Sequence, residues 1–160
     1  ANKINCIGVI GTGTQARLQV EYLKNITKCR KIMLWGRNSK KAKQYKDDMT
    51  PKGFDITISK SVQNVCKVSN LIITATSSKV PFIYRGYIQP GTHINAIGAD
   101  SIGKRELGPG IFLDADCVVV DSKKQCLDRG EVSYALLDEE LNENKITELG
   151  KILSGKIKGR

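Results

Sequence analysis

The amino-acid sequence predicts an α/β protein built on a doubly wound parallel sheet. Three observations carry this prediction. Short and almost wholly apolar runs recur along the chain, which is typical of strands that are buried on both faces. Segments with helical patterning separate these runs. A glycine-rich turn joins the first run to the first helix, and turns at that edge of a parallel sheet are where such folds bind ligands.

Each element has its own local signal. An apolar run bounded by glycine predicts a strand, Ser61 is a predicted N-cap, and the Pro51–Gly53 segment breaks the chain before an alternating strand. The predicted strands are 4–10, 31–36, 54–59, 70–76, 92–98 and 117–121. The predicted helices begin at Gln15, cover 39–49 and 61–68, and occupy much of 133–153.

Composition excludes several classes of protein. The chain has 160 residues, of which 40% are hydrophobic and 26% charged, as in an ordinary soluble domain. No apolar run approaches the roughly 20 residues that span a bilayer, and no signal-peptide pattern opens the chain. The five cysteines include no CxxC pair, and there is one histidine. These counts disfavour a zinc site or a disulfide framework, and they predict a reducing, cytoplasmic location.

The formal net charge of +10 has two interpretations. A basic surface can attract nucleic acid. However, lysines are spread along the chain, only 28–32 and 38–43 are dense, and no aromatic residues are interleaved with them. We therefore expect a lysine-rich solvated surface, with neither nucleic acid nor a membrane as a partner.

The first glycine turn fits a dinucleotide-binding fingerprint. Residues 11–16 read GTGTQA between a predicted strand and a predicted helix, which is the context that the GxGxxG/A motif requires. Gly11 would allow the tight turn, Gly13 would let the backbone approach a pyrophosphate, and Ala16 would keep helix and strand close. The alternative is a structural turn without a ligand. The repeating strand–helix pattern favours the Rossmann-type interpretation.

The loop after the second strand indicates which dinucleotide is bound. An acidic residue usually ends this strand and holds the ribose hydroxyls of NAD. Here the strand is followed by GRNSKK, 36–41, without an acid. Arg37 can pair with a phosphate, Asn38 and Ser39 can donate hydrogen bonds, and Lys40 adds positive charge. We expect NADP(H) to be favoured, with NAD(H) possible. The alternative is that Arg37 is an ordinary surface residue.

Three segments together carry a resemblance to a known family. The segments 90–107 (PGTHINAIGADSIGKREL), 11–16 and 74–81 (TATSSKVP) resemble the ornithine cyclodeaminase/mu-crystallin family. The family includes ketimine reductases and an archaeal type of alanine dehydrogenase. The resemblance implies that residues 1–160 form a single NAD(P)-binding Rossmann domain belonging to a longer, two-domain, homodimeric protein. Its substrate would be an amino acid or an imine.

The resemblance also implies roles for individual residues. Asp100 matches the family's acid/base aspartate, and no metal site is expected. The matching cofactor-binding positions are Gly11, Thr12, Gly13, Thr14, Gln15, Ala16, Arg37, Asn38, Ser39, Lys40, Ala75, Thr76, Ser77, Val80, Gly98 and Ala99. The implied parent reactions are ornithine cyclodeamination, ketimine reduction or alanine dehydrogenation, and we expect the isolated chain to be inactive. The alternative is a non-enzymatic protein of the mu-crystallin type that binds NADPH or a small ligand.

Other polar residues have simpler interpretations. Asp100 could carry protons or hold an amino group, or it could cap the turn that follows it. Lys104 and Glu106 could form a surface pair. His93, inside an apolar run, is expected to be a hydrogen-bonded core residue. Cys6 and Cys117 are expected to lie in apolar strands, where cysteine acts as a small hydrophobe.

Overall fold

The computed structural model describes residues 3–158, and the chain divides into two compact units. The first, here called the sheet unit, comprises the residues up to 77 together with 86–98. The second, here called the C-terminal unit, comprises 78–85 and the residues from 99 onward. Each unit is described by itself below.

Five parallel strands form the sheet unit, in the order β3-β2-β1-β4-β5. The residue pairs Ile10–Trp35 and Ile10–Thr74 put the last residues of β1, β2 and β4 side by side. The loops that follow these strands therefore leave from one edge, at the place where the strand order reverses. The elements are β1 (Ile7–Ile10), α1 (Thr14–Leu23), β2 (Lys31–Trp35), α2 (Ser39–Met49), β3 (Asp55–Ile58), α3 (Val62–Val68), β4 (Leu71–Thr74) and β5 (His93–Ala96).

Helices cover both faces of this sheet, as the doubly wound prediction requires. Alternate residues of a strand point to opposite faces. One face packs on α1 and α2 through a core of Ile7, Val9, Ile32, Leu34, Leu71 and Ile73 with Ala16, Val20, Ala42, Tyr45 and Met49. On the other face, α3 packs so closely on β1 that a Cβ on Gly8 would lie 2.8 Å from Val65. The predicted serine cap of α3 is confirmed, since the Ser61 hydroxyl accepts a hydrogen bond from the Asn64 amide.

The C-terminal unit has a small sheet and core of its own. Its two strands pair in parallel, with Val118 opposite Ile146. The elements are β6 (Val118–Val120), α4 (Lys123–Asp128), α5 (Glu131–Leu137), β7 (Ile146–Glu148) and α6 (Leu149–Leu153). The core is formed by Val118, Val120, Val132, Ala135, Leu141 and Ile146.

Two sequence-based predictions were wrong in this unit. The sequence predicts 117–121 as one more strand of the main sheet, but β6 pairs with β7 in a separate two-stranded sheet. The single helix predicted within 133–153 is also interrupted. The chain leaves α5 after Leu137, Glu139 adopts a left-handed conformation with φ of 57°, and Ile146 enters the core as part of β7. In a short segment, a spacing of apolar residues that suits a helix is also compatible with a strand.

Candidate functional site

The turn between β1 and α1 is built around Gly11. Its φ of 123° is a backbone conformation that residues other than glycine rarely adopt. Its amide donates a hydrogen bond to the Trp35 carbonyl at 3.0 Å. A Cβ on Gly11 would lie 2.4 Å from the Ala75 carbonyl oxygen. Position 11 therefore requires glycine both for its conformation and for the close approach of the loop after β4.

Gly13 opens the turn to solvent. It is the N-cap of α1, no side chain caps this helix end, and a Cβ on Gly13 would meet no atom within 4 Å. Thr14 and Gln15 are exposed, and Ala16 is fully buried. The uncapped amides of a ten-residue helix therefore face open space, with the helix held against the core behind them. Such an end favours an anion, because the unpaired N–H groups and the helix dipole both point outward.

The loop after β2 lies directly against this turn. A Cβ on Gly36 would lie 2.5 Å from the Thr12 methyl carbon, so glycine at position 36 allows the two loops to touch. The Asn38 carboxamide oxygen caps α2 by accepting from the Lys41 amide at 3.0 Å, which leaves its NH2 group free to donate. Residues 37–40 are all exposed, and the first turn of α2 contains no acidic residue.

Side-chain contacts join α1 and α2 behind the two loops. The Tyr45 side chain is fully buried and its hydroxyl donates to the Ala16 carbonyl at 3.2 Å. The Arg17 guanidinium lies 4.8 Å from the centre of the Tyr45 ring and pairs with Asp48 at 2.8 Å. These contacts fix the helix that follows the first loop against the helix that follows the second.

The remaining predicted residues of the sheet unit lie at the same edge. The Ala75 amide donates to the Ile10 carbonyl, and Thr76 lies beside Gly11. Ser77 is exposed, and Gly98 is buried just beyond β5. The structure thus brings the predicted loops 11–16, 36–40 and 75–77 together. Val80 and Ala99 belong to the C-terminal unit.

Asp100 lies on a turn of the C-terminal unit. Its side chain is 70% exposed and pairs with Lys104, whose ammonium lies 2.5 Å from the Asp100 carboxylate. The hydrogen bond from Lys104 is the main reason that the pKa of Asp100 falls below its ordinary value. The predicted pair between Lys104 and Glu106 was wrong, because Glu106 is fully buried and Lys104 turns to Asp100 instead.

Three further expectations were wrong. His93 is exposed on the edge strand β5, where its Nε2 lies 2.9 Å from the Asn95 carboxamide oxygen, so it is not a core residue. Cys6 precedes β1 and is half-buried, and Cys117 precedes β6 and is exposed. An apolar neighbourhood in sequence does not guarantee burial at the end of a strand or on an edge strand. Cys66 is the buried thiol, and burial raises its pKa to about 12.

Sequence reasoning missed Glu131. This side chain is 7% exposed, its two oxygens accept hydrogen bonds from the Glu106 and Leu107 amides at 2.6 and 3.0 Å, and burial raises its pKa to about 7. Nothing in the GEVS context distinguishes it from a surface glutamate.

A broad depression of about 930 Å³ lies at the opposite edge of the sheet from the glycine turn. It is lined by residues around the amino ends of β1, β2 and β3, Lys28 among them. It is wide and contains none of the predicted site residues. Within residues 3–158, no group of three or more metal-ligating side chains is placed to hold an ion, and no helix is long and apolar enough to cross a membrane.

Comparison with known proteins gives one family. The family model of the ornithine cyclodeaminase/mu-crystallin family matches residues 2–160. The alanine dehydrogenase of Archaeoglobus fulgidus is 33% identical over 156 residues, which are 96% of this chain and 47% of that protein. This chain spans about half the length of the curated relatives it matches.

Solved structures agree. The Thermococcus litoralis Δ(1)-pyrroline-2-carboxylate reductase, in complex with NADH and L-proline, superposes with a TM-score of 0.91 at 30% identity, covering 100% of this chain and 50% of that one. An archaeal alanine dehydrogenase dimer with bound NAD gives a TM-score of 0.91 at 28% identity, covering 100% of this chain and 49% of that one. The α/β fold with a parallel sheet is therefore shared with dinucleotide-bound proteins.

Proposed function

The chain belongs to the ornithine cyclodeaminase/mu-crystallin family, and on that premise we propose that it is the dinucleotide-binding part of an enzyme that transfers hydride between NADP(H) and an amino acid or imine. The observation that carries this proposal is the open Gly13 end of α1, which lies beside an exposed, acid-free loop after β2. Relatives of this family include an alanine dehydrogenase and pyrroline-2-carboxylate reductases.

The residues present fit a dinucleotide with an extra phosphate. The amides of the glycine turn would hold the pyrophosphate, and the space beside Gly13 admits it without a side chain in the way. Arg37 and Lys40 would hold the 2′-phosphate, and Asn38 and Ser39 would donate to it. Ala75 to Ser77 and Gly98 of the sheet unit would line the remainder of the cofactor. The similar structures contain NAD or NADH, so the preference for NADP(H) depends on the 36–41 loop alone.

Asp100 is proposed as the acid/base group of the parent enzyme. Paired with Lys104, it is held ionised, which suits it to hold the ammonium group of a substrate. To accept a proton it would have to exchange the pairing with Lys104 for contacts that raise its pKa toward the working pH. The bound nicotinamide supplies the hydride exchange at a carbon that bears nitrogen. The parent is proposed to be a homodimer of longer chains in which residues 1–160 form the cofactor-binding domain. Its five free cysteines favour a reducing cytoplasm.

The test is a calorimetric titration of the 160-residue chain with NADPH and NADH at equal concentration and fixed salt. We expect NADPH to bind more tightly, and Arg37→Asp to weaken NADPH binding by at least about tenfold with little effect on NADH. Lys28→Asp is the matched control, because it makes the same charge change on an exposed side chain at the opposite edge of the sheet.

Each outcome has a distinct meaning. A preference for NADH would overturn the assignment of the phosphate to Arg37 while keeping dinucleotide binding. Binding of neither nucleotide would contradict the proposal that residues 11–16 suffice as a phosphate loop in this chain. We also expect no turnover by the isolated chain, so clear amino-acid-dependent reduction of NADP+ would contradict the proposed need for a second domain.

A further inference from the structure

We infer that the buried Glu131 carboxylate is a positioning residue for the turn that carries Asp100, and that its protonation switches this turn between two hydrogen-bonding arrangements. The inference rests on the role proposed above for Asp100. All the residues involved belong to the C-terminal unit.

One end of the Asp100 turn is held by the Glu131 side chain. Glu131 is the first residue of α5 and is 7% exposed. One of its oxygens accepts from the Glu106 amide at 2.6 Å and the other from the Leu107 amide at 3.0 Å. The Glu106 carbonyl in turn accepts from the amides of Phe82 and Ile83. The carboxylate thus fixes the backbone two and three residues after Lys104.

The other end of the turn lies against the residue before Glu131. Gly130 has a φ of 82°, and a Cβ there would lie 3.0 Å from the Ala99 carbonyl oxygen. Residues 130 and 131 therefore contact both flanks of the segment 99–107. Asp100 and Lys104 lie between these flanks, on a turn closed by the hydrogen bond from the Lys104 amide to the Ser101 carbonyl at 3.2 Å.

The charges around Glu131 separate its titration from that of Asp100. The pKa of Glu131 is raised to about 7, mainly because the side chain is buried. Among the described residues, 3–158, Glu106 also acts to raise this pKa, whereas Arg105 and the amides of Glu106 and Leu107 act to lower it. Arg105 is itself paired with Asp138 at 2.6 Å. The pKa of Asp100 is shifted in the opposite direction by Lys104. Asp100 is ionised throughout the range in which Glu131 titrates.

The two forms of Glu131 hold the backbone differently. As a carboxylate, it offers an acceptor to each amide. As a carboxylic acid, one oxygen carries a proton that needs an acceptor of its own, so the hydrogen bond to one of the two amides weakens. One of the two hydrogen bonds that fix the backbone after the Asp100 turn is then weakened. A pH dependence of Asp100 near neutrality would therefore report Glu131 and not the Asp100 carboxyl itself.

The test is an NMR titration of the 160-residue chain between pH 5 and 8.5. As the pH rises and Glu131 ionises, we expect the amide proton resonances of Glu106 and Leu107 to move downfield with a midpoint near pH 7. The Asp100 carboxyl carbon and the amides of 99–104 should shift with the same midpoint. Glu131→Gln should abolish this transition at Asp100. Glu140→Gln is the control, because its carboxylate also accepts a backbone amide of this unit, from Gly110 at 2.5 Å, and the transition should persist.

A second variant keeps the inference testable if Glu131→Gln does not fold. Glu106→Gln removes the neighbouring carboxyl that raises the pKa of Glu131, so it should lower the midpoint. Amides of Glu106 and Leu107 that do not titrate, or a neutral transition at Asp100 that survives Glu131→Gln, would overturn the inference. A chain that shows the transition but binds no dinucleotide would contradict the proposed function alone. A chain that binds NADPH without the transition would contradict only the role of Glu131.

Discussion

The glycine turn of the sheet unit and the Asp100 turn of the C-terminal unit obtain their shapes in opposite ways. The glycine turn is shaped by missing side chains, because Gly11 and Gly36 allow backbone and methyl groups to approach positions that a Cβ would fill. The Asp100 turn is shaped by ionisable side chains, Glu131 and Lys104. The first should tolerate pH changes but not a carbon added at Gly11. The second should respond to protons.

The largest effect that tests this contrast is expected at Gly11. Gly11→Ala places a Cβ 2.4 Å from the Ala75 oxygen at a φ of 123°, and we expect a loss of about 4 kcal/mol in the free energy of unfolding. Gly13→Ala is the matched variant, because its Cβ would meet no atom within 4 Å. It should cost at most about 1 kcal/mol of stability and still weaken NADPH binding. Urea denaturation and calorimetry measure both quantities, and equal stability losses would refute the contrast.

The next effect concerns pH and the C-terminal unit. The pKa of Glu131 is raised from 4.5 to about 7 in the folded chain, so the folded chain binds this proton more tightly than the unfolded chain does. The resulting stabilisation is fully present below pH 4.5 and is lost as the pH rises through 7. The loss should approach about 3 kcal/mol. Urea denaturation at several pH values should show this decline, and Glu131→Gln should flatten it. A wild-type stability that rises between pH 5 and 8 would contradict the assignment.

A smaller effect tests the contact between the two loops of the sheet unit. Gly36→Ala should cost about 1 kcal/mol, because the new Cβ would lie 2.5 Å from the Thr12 methyl carbon. Thr12→Ser removes that methyl group, so the double variant should recover most of the loss. The coupling free energy from the double-mutant cycle measures the contact. Strict additivity of the two variants would show that the loops do not touch.

The smallest effect is expected at Lys104. Lys104→Met should raise the pKa of Asp100 toward its ordinary value, because the ammonium that favours the carboxylate is removed. The pair is exposed, so the free energy of unfolding should hardly change. An NMR titration of the Asp100 carboxyl carbon gives the pKa directly. An unchanged pKa would mean that the ion pair does not form in solution.

The same contrast explains what the sequence could predict. The fold and the loops 11–16, 36–40 and 75–77 follow from local rules, since glycine spacing and apolar runs act over a few residues. The burial of Glu131 and Glu106 depends on neighbours some 25 residues apart, and no local pattern indicates it. The strand β7 was mistaken for helix because its pairing with β6 decides its conformation. His93 was placed in the core because its position at the sheet edge is a property of strand order.

The contacts between α1 and α2 have a consequence for how cofactor preference can evolve. Buried groups, Tyr45 and Ala16, hold the two helices together, whereas the side chains of 37–40 that would distinguish one cofactor from another are all exposed. Substitutions at exposed positions usually change stability by less than about 0.5 kcal/mol. Selection can therefore exchange the side chains of Arg37, Ser39 and Lys40 on an unchanged frame, whereas Asn38 also caps α2. A switch between NADP(H) and NAD(H) would be only a few nearly neutral mutational steps away.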